Sequence, residues 1–164
     1  LELGLSGEDI QQIQKDYPHT TTQCLVILFK WMQLNGDKAT FGNLEMAFKR
    51  AGISVDILKS VNTTGDTVSC LPPSLLDKKP EDRHLKWICS RIGTQHVLLG
   101  VELEVSLSRI DQFLKEHPMD VQRQCFEIMK EWRQRKPWQA TFRNLEQAFK
   151  CVGINPDILK QSVN

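Results

Sequence analysis

The stretch Ala39-Thr40-Phe41-Gly42-Asn43-Leu44-Glu45-Met46-Ala47-Phe48-Lys49 returns about a hundred residues later as Ala140-Thr141-Phe142-Arg143-Asn144-Leu145-Glu146-Gln147-Ala148-Phe149-Lys150. Both copies continue alike, with Gly52-Ile53 and Asp56-Ile57-Leu58-Lys59 answered by Gly153-Ile154 and Asp157-Ile158-Leu159-Lys160. Upstream, Cys24 and Trp31 answer Cys125 and Trp132, while Leu3, Ser6, Ile10 and Pro18 answer Leu103, Ser106, Ile110 and Pro118. A period this long exceeds that of a short solenoid repeat, so each copy is expected to be a domain.

Helical signals run through each copy. Ser6 and Ser106 stand where a hydroxyl can accept a free amide at a helix start, and Glu8 and Asp9 suit the positive helix end. Cys24, Ile27, Leu28 and Trp31 form an apolar stripe at helical spacing, as do Cys125, Ile128, Met129 and Trp132. Thr40 and Thr141 cap the next helix, which turns Leu44 and Phe48, or Leu145 and Phe149, to the core together with Trp31 and Trp132. Gly52 and Gly153 fit a left-handed helix end, and Ser54 and Asn155 cap a short last helix. No strand pattern is present. The fold class is all-α, two tandem six-helix bundles with short connections.

The copies are expected at 1–61 and 81–164, joined by a linker at 62–80 whose Gly, Ser and Pro residues break helical periodicity. Residues 81–93 place Leu85, Ile88 and Ile92 on one helical face and form the second copy's opening helix. Leu1 aligns with Val101, so the first copy is expected to lack its opening helix. The chain starts without an initiator Met or a signal-peptide core and reads as an excised piece.

Composition bounds the function. A hydrophobic fraction of 40% and a charged fraction of 25% describe an ordinary globular protein. No apolar run approaches the roughly 20 residues of a membrane span, so no membrane insertion is expected. The five cysteines lack a CxxC pair and are odd in number, which argues against a disulfide framework or zinc site and for a reduced, cytoplasmic setting. Cys24 and Cys125 read as small buried hydrophobes. There is no phosphate loop, dinucleotide fingerprint, zinc-protease signature or nucleophile elbow, and the chain is expected to be no enzyme, with no cofactor and no small-molecule substrate. His19, His84, His96 and His117 are scattered and read as solvated or capping.

The polar residues carry more. Residues 1–62 have a net charge of −1, residues 63–82 of −2 and residues 83–164 of +4. Arg123, Lys130, Arg133, Arg135 and Lys136 gather on the second copy's fourth helix and the turn after it. Acidic residues gather on helices two and three, as Glu2, Glu8, Asp9 and Asp16 in the first copy and Glu102, Glu104, Asp111 and Glu116 in the second. Trp138, beside Lys136-Pro137, is an aromatic placed to anchor a partner.

The order Leu98 through Leu103, Val105-Ser106, Ile110, Gln124, Trp132, Ala140-Thr141, Leu145, Ala148-Phe149 resembles the death domain pattern over helices two to six. The resemblance covers about 81–161 and, without the opening helix, 1–60. Its most specific part is a Trp followed eight residues later by Ala-Thr and then Leu-x-x-Ala. His96 departs from it, standing where family members often carry Trp. The resemblance implies an intracellular adaptor that joins a basic helix-one/helix-four face to an acidic helix-two/helix-three face of another death domain. The second copy carries both faces, so a head-to-tail contact could propagate by self-assembly. Apoptotic or innate-immune signalling of NF-κB type is the implied setting. One rival is an autoregulatory module in which the first copy masks the second. Another is nucleic-acid binding by the basic copy, weakened by the interleaved Glu127 and Glu131.

Overall fold

Ser6 holds the chain in extended backbone, its hydroxyl accepts the Asp9 amide at 3.1 Å, and the Asp9 carboxylate accepts the Ser6 amide in return. This reciprocal cap starts α1 (Gly7–Asp16). Next comes α2 (Thr20–Asn35), whose start is tied by the Gln23 side chain donating to the Tyr17 carbonyl at 2.7 Å. Thr40 accepts from Asn43 and opens α3 (Phe41–Arg50), and Ser54 accepts from Asp56 at α4 (Asp56–Lys59). The computed structural model describes residues 3–59 and 68–164, and the chain divides into two units, Leu1–Thr63 and Thr64–Asn164.

The second unit adds elements before the repeated ones. These are a single turn, α5 (Pro73–Leu76), then α6 (Asp82–Ile92) and α7 (His96–Glu102). After them α8 (Leu107–Glu116), α9 (Val121–Arg135), α10 (Phe142–Cys151) and α11 (Asp157–Ser162) repeat α1 to α4. No strand occurs among the described residues.

Helix α9 is the spine of this unit. Cys125, Ile128 and Met129 are fully buried and Trp132 nearly so, where α9 packs against α6 and α7, whose Leu85, Ile88 and Leu99 are fully buried as well. Burying each such aliphatic side chain contributes about 1.5–3 kcal/mol. Gly100 lets α7 come close, since a Cβ there would stand 2.7 Å from the Ile128 side chain.

The first unit repeats the local structure without the same cover. Leu5, Ile13, Trp31 and Ala47 are buried, but Leu44 and Phe48, assigned to the core from sequence, are half-buried, as are Ile27 and Leu28. Cys24, read as a buried hydrophobe, is exposed, whereas Cys125 is fully buried. Among its described residues the first unit has no counterpart of α6, and the short helix equivalent to α7 is absent as well. Cys24, Ile27 and Leu28 of the α2 stripe are accordingly more exposed than Cys125, Ile128 and Met129 of α9.

Three further expectations change. The part of the 62–80 segment that is described, from Val68 on, is no free connector. Leu71, Leu76 and Pro80 are buried, and the Phe142 amide donates to the Lys78 carbonyl at 3.0 Å. Ser106 makes no capping bond with its hydroxyl; the Arg109 amide donates to the Ser106 carbonyl at 3.0 Å instead, and the hydroxyl lies 3.4 Å from that of Ser108. His96 is buried against Gln124 and not solvated, whereas His84, also buried, has the capping role, its Nδ1 accepting the Glu81 amide at 2.9 Å.

Candidate interaction surfaces

The basic residues of α9 do not form a bare positive patch, because most meet a carboxylate of their own unit. Arg123 pairs with Glu127 at 2.9 Å and Arg135 with Glu131 at 3.2 Å, each one helical turn away. Arg133 reaches back to α6, donating to the Pro80 carbonyl at 3.0 Å and pairing with Asp82. Lys136 pairs with Glu104. Lys130 is half-buried on the same side. Arg133 holds the Asp82 carboxyl below the usual aspartate range, helped by Lys86 and Lys130.

Lys86 is a residue the sequence reading missed. It lies over the Phe126 ring at 5.7 Å, while Arg91 covers Trp87 at 5.1 Å, so α6 and α9 present one mixed face of cations and aromatic rings. The polar side of α6, Arg83, Lys86, Trp87 and Arg91 at helical spacing, was the available signal.

Of the acidic residues, Glu102 ends α7, Asp111 and Glu116 lie on α8, and Glu104 lies in the turn between the two helices. Asp111 pairs with Lys115 at 2.7 Å, and Glu116 accepts from Gln112 at 2.6 Å. Glu104 sits at φ 58°, where the first unit has Gly4 at φ 74°. Beside the Glu104–Lys136 pair a shallow recess of about 240 Å³ opens over Leu103, Val105 and Trp132. In the first unit Asp9 is held by Ser6 and Lys30, which keep it below the usual range, and Asp16 accepts from Gln12 at 2.7 Å. Glu8 is exposed in the first turn of α1. Glu2 lies outside the described residues. Trp138 is 73% exposed in the turn after α9.

Glu146 was also missed, since its spacing to Lys150 reads as an ordinary surface pair. It is buried beneath the 68–80 segment, where it accepts the Ser69 hydroxyl at 2.6 Å and the Cys70 amide at 2.7 Å. Burial pushes its carboxyl up, but these two donors and Lys150 together bring it below the ordinary glutamate value. Cys70, whose thiol donates to the Pro156 carbonyl at 3.2 Å, is pushed up to about 11 by burial and by Glu146. Asp77 of the same segment pairs with Arg143 at 3.0 Å. With this segment included, the second unit carries a net charge of +2 over residues 64–164 in place of +4 over residues 83–164.

Among the described residues no group of three His, Cys, Asp or Glu could hold a metal ion, and no helix is long and apolar enough to cross a membrane. The second unit runs through six helices, α6 to α11, and the first shares the order of the last four. A family model described as the death domain matches residues 1–61 and again residues 82–160. Death domains are non-catalytic modules that bind other death-domain proteins in signalling. Matched over both copies, the chain belongs to the death domain family.

Proposed function

We propose that the chain is a cytoplasmic signalling scaffold that recruits other death domains, or further copies of itself, through charged faces, in apoptotic or innate-immune pathways of NF-κB type. The observation that carries this is the placement of opposite chemistries on different helices of one unit. Lys86, Lys130 and Arg123 lie on α6 and α9, while Glu102, Asp111 and Glu116 lie on α7 and α8. Such faces set the register and rate of encounter more than raw affinity, and each exposed pair adds little by itself.

The intra-unit ion pairs shape the reading. A partner meets a patterned surface of donors and carboxylates and not a block of positive charge, which favours a protein face over a phosphate backbone. The narrower charge difference between the units, −1 against +2, also weakens the rival in which the first masks the second by simple attraction.

Replacing Lys86 and Lys130 by Glu tests the scaffold directly. Loss of self-assembly in sedimentation, and of capture of death-domain partners, with an unchanged helical circular dichroism spectrum is the expected result. Unchanged sedimentation and capture would reject the face.

A further inference from the structure

Three sulfur atoms meet in the core of the second unit. Cys89 comes from α6, while Cys125 and Met129 stand one turn apart on α9. Both thiols donate to the Met129 thioether, at 3.6 Å from Cys89 and 4.0 Å from Cys125. Cys89 is 2% exposed and the other two are 0% exposed. A hydrogen bond from its neighbour Cys89, and then burial, push the Cys125 thiol well above its ordinary value. It is a protonated thiol at neutral pH.

We propose that Cys89, Cys125 and Met129 form a binding site for one Cu(I) ion. Sulfur atoms that share an ion at about 2.3 Å, the length of a metal–thiolate bond, stand about 3.8–4.0 Å apart. The trio is therefore already at the spacing of a three-sulfur site. Thiolate and thioether ligands select the soft Cu(I) ion over harder cations. Among the described residues no His, Asp or Glu joins the two cysteines to complete a harder site.

Loading exchanges the ion for protons without electron transfer. Two S–H bonds break, two Cu–S bonds form, both protons leave to solvent, and the thioether adds a lone pair. Affinity therefore rises with pH. Since the sulfurs are buried, the ion enters by a transient opening of α6 from α9, and loading is slow. Once seated it joins the two helices that also carry Lys86 and Lys130. The first unit has Cys24 and Leu28 at the positions of Cys125 and Met129, and Leu28 offers no sulfur.

The test uses the 164-residue chain with Cys24→Ser, Cys70→Ser and Cys151→Ser, which leaves only the two core thiols. Cu(I), kept reduced without oxygen, is titrated in competition with bicinchoninate. One ion per chain is expected, bound more tightly at higher pH and about tenfold more weakly after Met129→Leu, a change that keeps the core apolar. X-ray absorption at the copper edge should show three sulfur neighbours, and two in the Met129→Leu chain. Circular dichroism should keep its helical spectrum on loading. Failure to retain copper, affinity indifferent to Met129→Leu, or loss of helices as copper binds would each overturn the proposal.

Discussion

Arg109 pairs with Glu131 across α8 and α9 at 3.1 Å, and the equivalent first-unit pair, Asp9 with Lys30 at 3.3 Å, carries the opposite charges. The helix-to-helix tie has been kept while its polarity has been exchanged. The exchange also explains the two helix starts. Asp9 returns the hydrogen bond of Ser6, whereas Arg109 cannot, and its guanidinium instead lies 4.8 Å from the Phe113 ring centroid and reaches Glu131.

Reversal of that pair is predicted to be tolerated only as a unit. Arg109→Asp alone leaves two acids facing each other, and Glu131→Lys alone two bases. The double variant restores the first unit's arrangement and adds an acid beside Ser106. Thermal midpoints should fall in each single variant and recover most of the loss in the double one. Additive losses across the cycle would show that the pair is not coupled.

Glu146 makes the 68–80 segment part of the second unit, and its removal should detach it. Glu146→Ala leaves the Ser69 hydroxyl and Cys70 amide without their acceptor, a loss of about 1.5–3 kcal/mol for bonds to a charged group. The carboxyl lies below its ordinary value of 4.5 in the folded chain. Its contribution is therefore complete above pH 4.5 and is lost as the pH falls through the folded value. Urea unfolding at pH 6 and pH 3 should show a drop in the native chain that is smaller in the Ala variant. Equal drops would assign the acid sensitivity elsewhere.

The fold was legible because its determinants are local and written twice. Thr40 and Thr141 each accept the amide three residues on, and Ser54 and Asn155 each accept the amide two residues on. Trp31 and Trp132 stand at one register of one apolar stripe and are 7% and 3% exposed. Pairing choices were not legible. The ties of Arg133 to Asp82 and of Glu146 to Ser69 cross 51 and 77 residues of chain, and spacing carries no sign of them. Nor does the sequence of the first unit reveal that Cys24 is open, because its stripe is nearly the same as that of the second. Exposure is set by what is packed against a stripe.

Phe41 and Phe142 turn that difference into a measurement. Phe142→Ala removes a buried ring 5.4 Å from His84 and should cost about 3–5 kcal/mol. Phe41→Ala at the same register should cost about 0.5 kcal/mol or less, as exposed positions usually do. Urea titration of both variants decides. A large loss at Phe41 would mean that its face is covered in the free chain.

His84 is predicted to titrate below 6.5. Burial, and then Arg83, hold its imidazole below that ordinary value, and its Nδ1 accepts the Glu81 amide at 2.9 Å at the start of α6. The unfolded chain takes up the proton first, so the stability contributed is complete above pH 6.5 and declines as the pH drops toward the folded value. An NMR titration of the His84 ring should give a midpoint below 6.5, with α6 amides shifting at the same pH. A midpoint at or above 6.5 would contradict the neutral capping role.

Arg133 and Arg135 are two residues apart and should separate folding from assembly. The Arg133 side chain is 22% exposed and ties α9 to Asp82 and the Pro80 carbonyl. Arg133→Glu places a carboxylate against both acceptors and should lower the thermal midpoint by several degrees. Arg135 is 54% exposed and its partner Glu131 keeps Arg109, so Arg135→Glu should leave the midpoint nearly unchanged while weakening any contact made through the end of α9. Thermal melts and sedimentation of the two single variants read the two effects apart. A stable Arg133→Glu chain would mean that this arginine belongs to the binding face and not to the bundle.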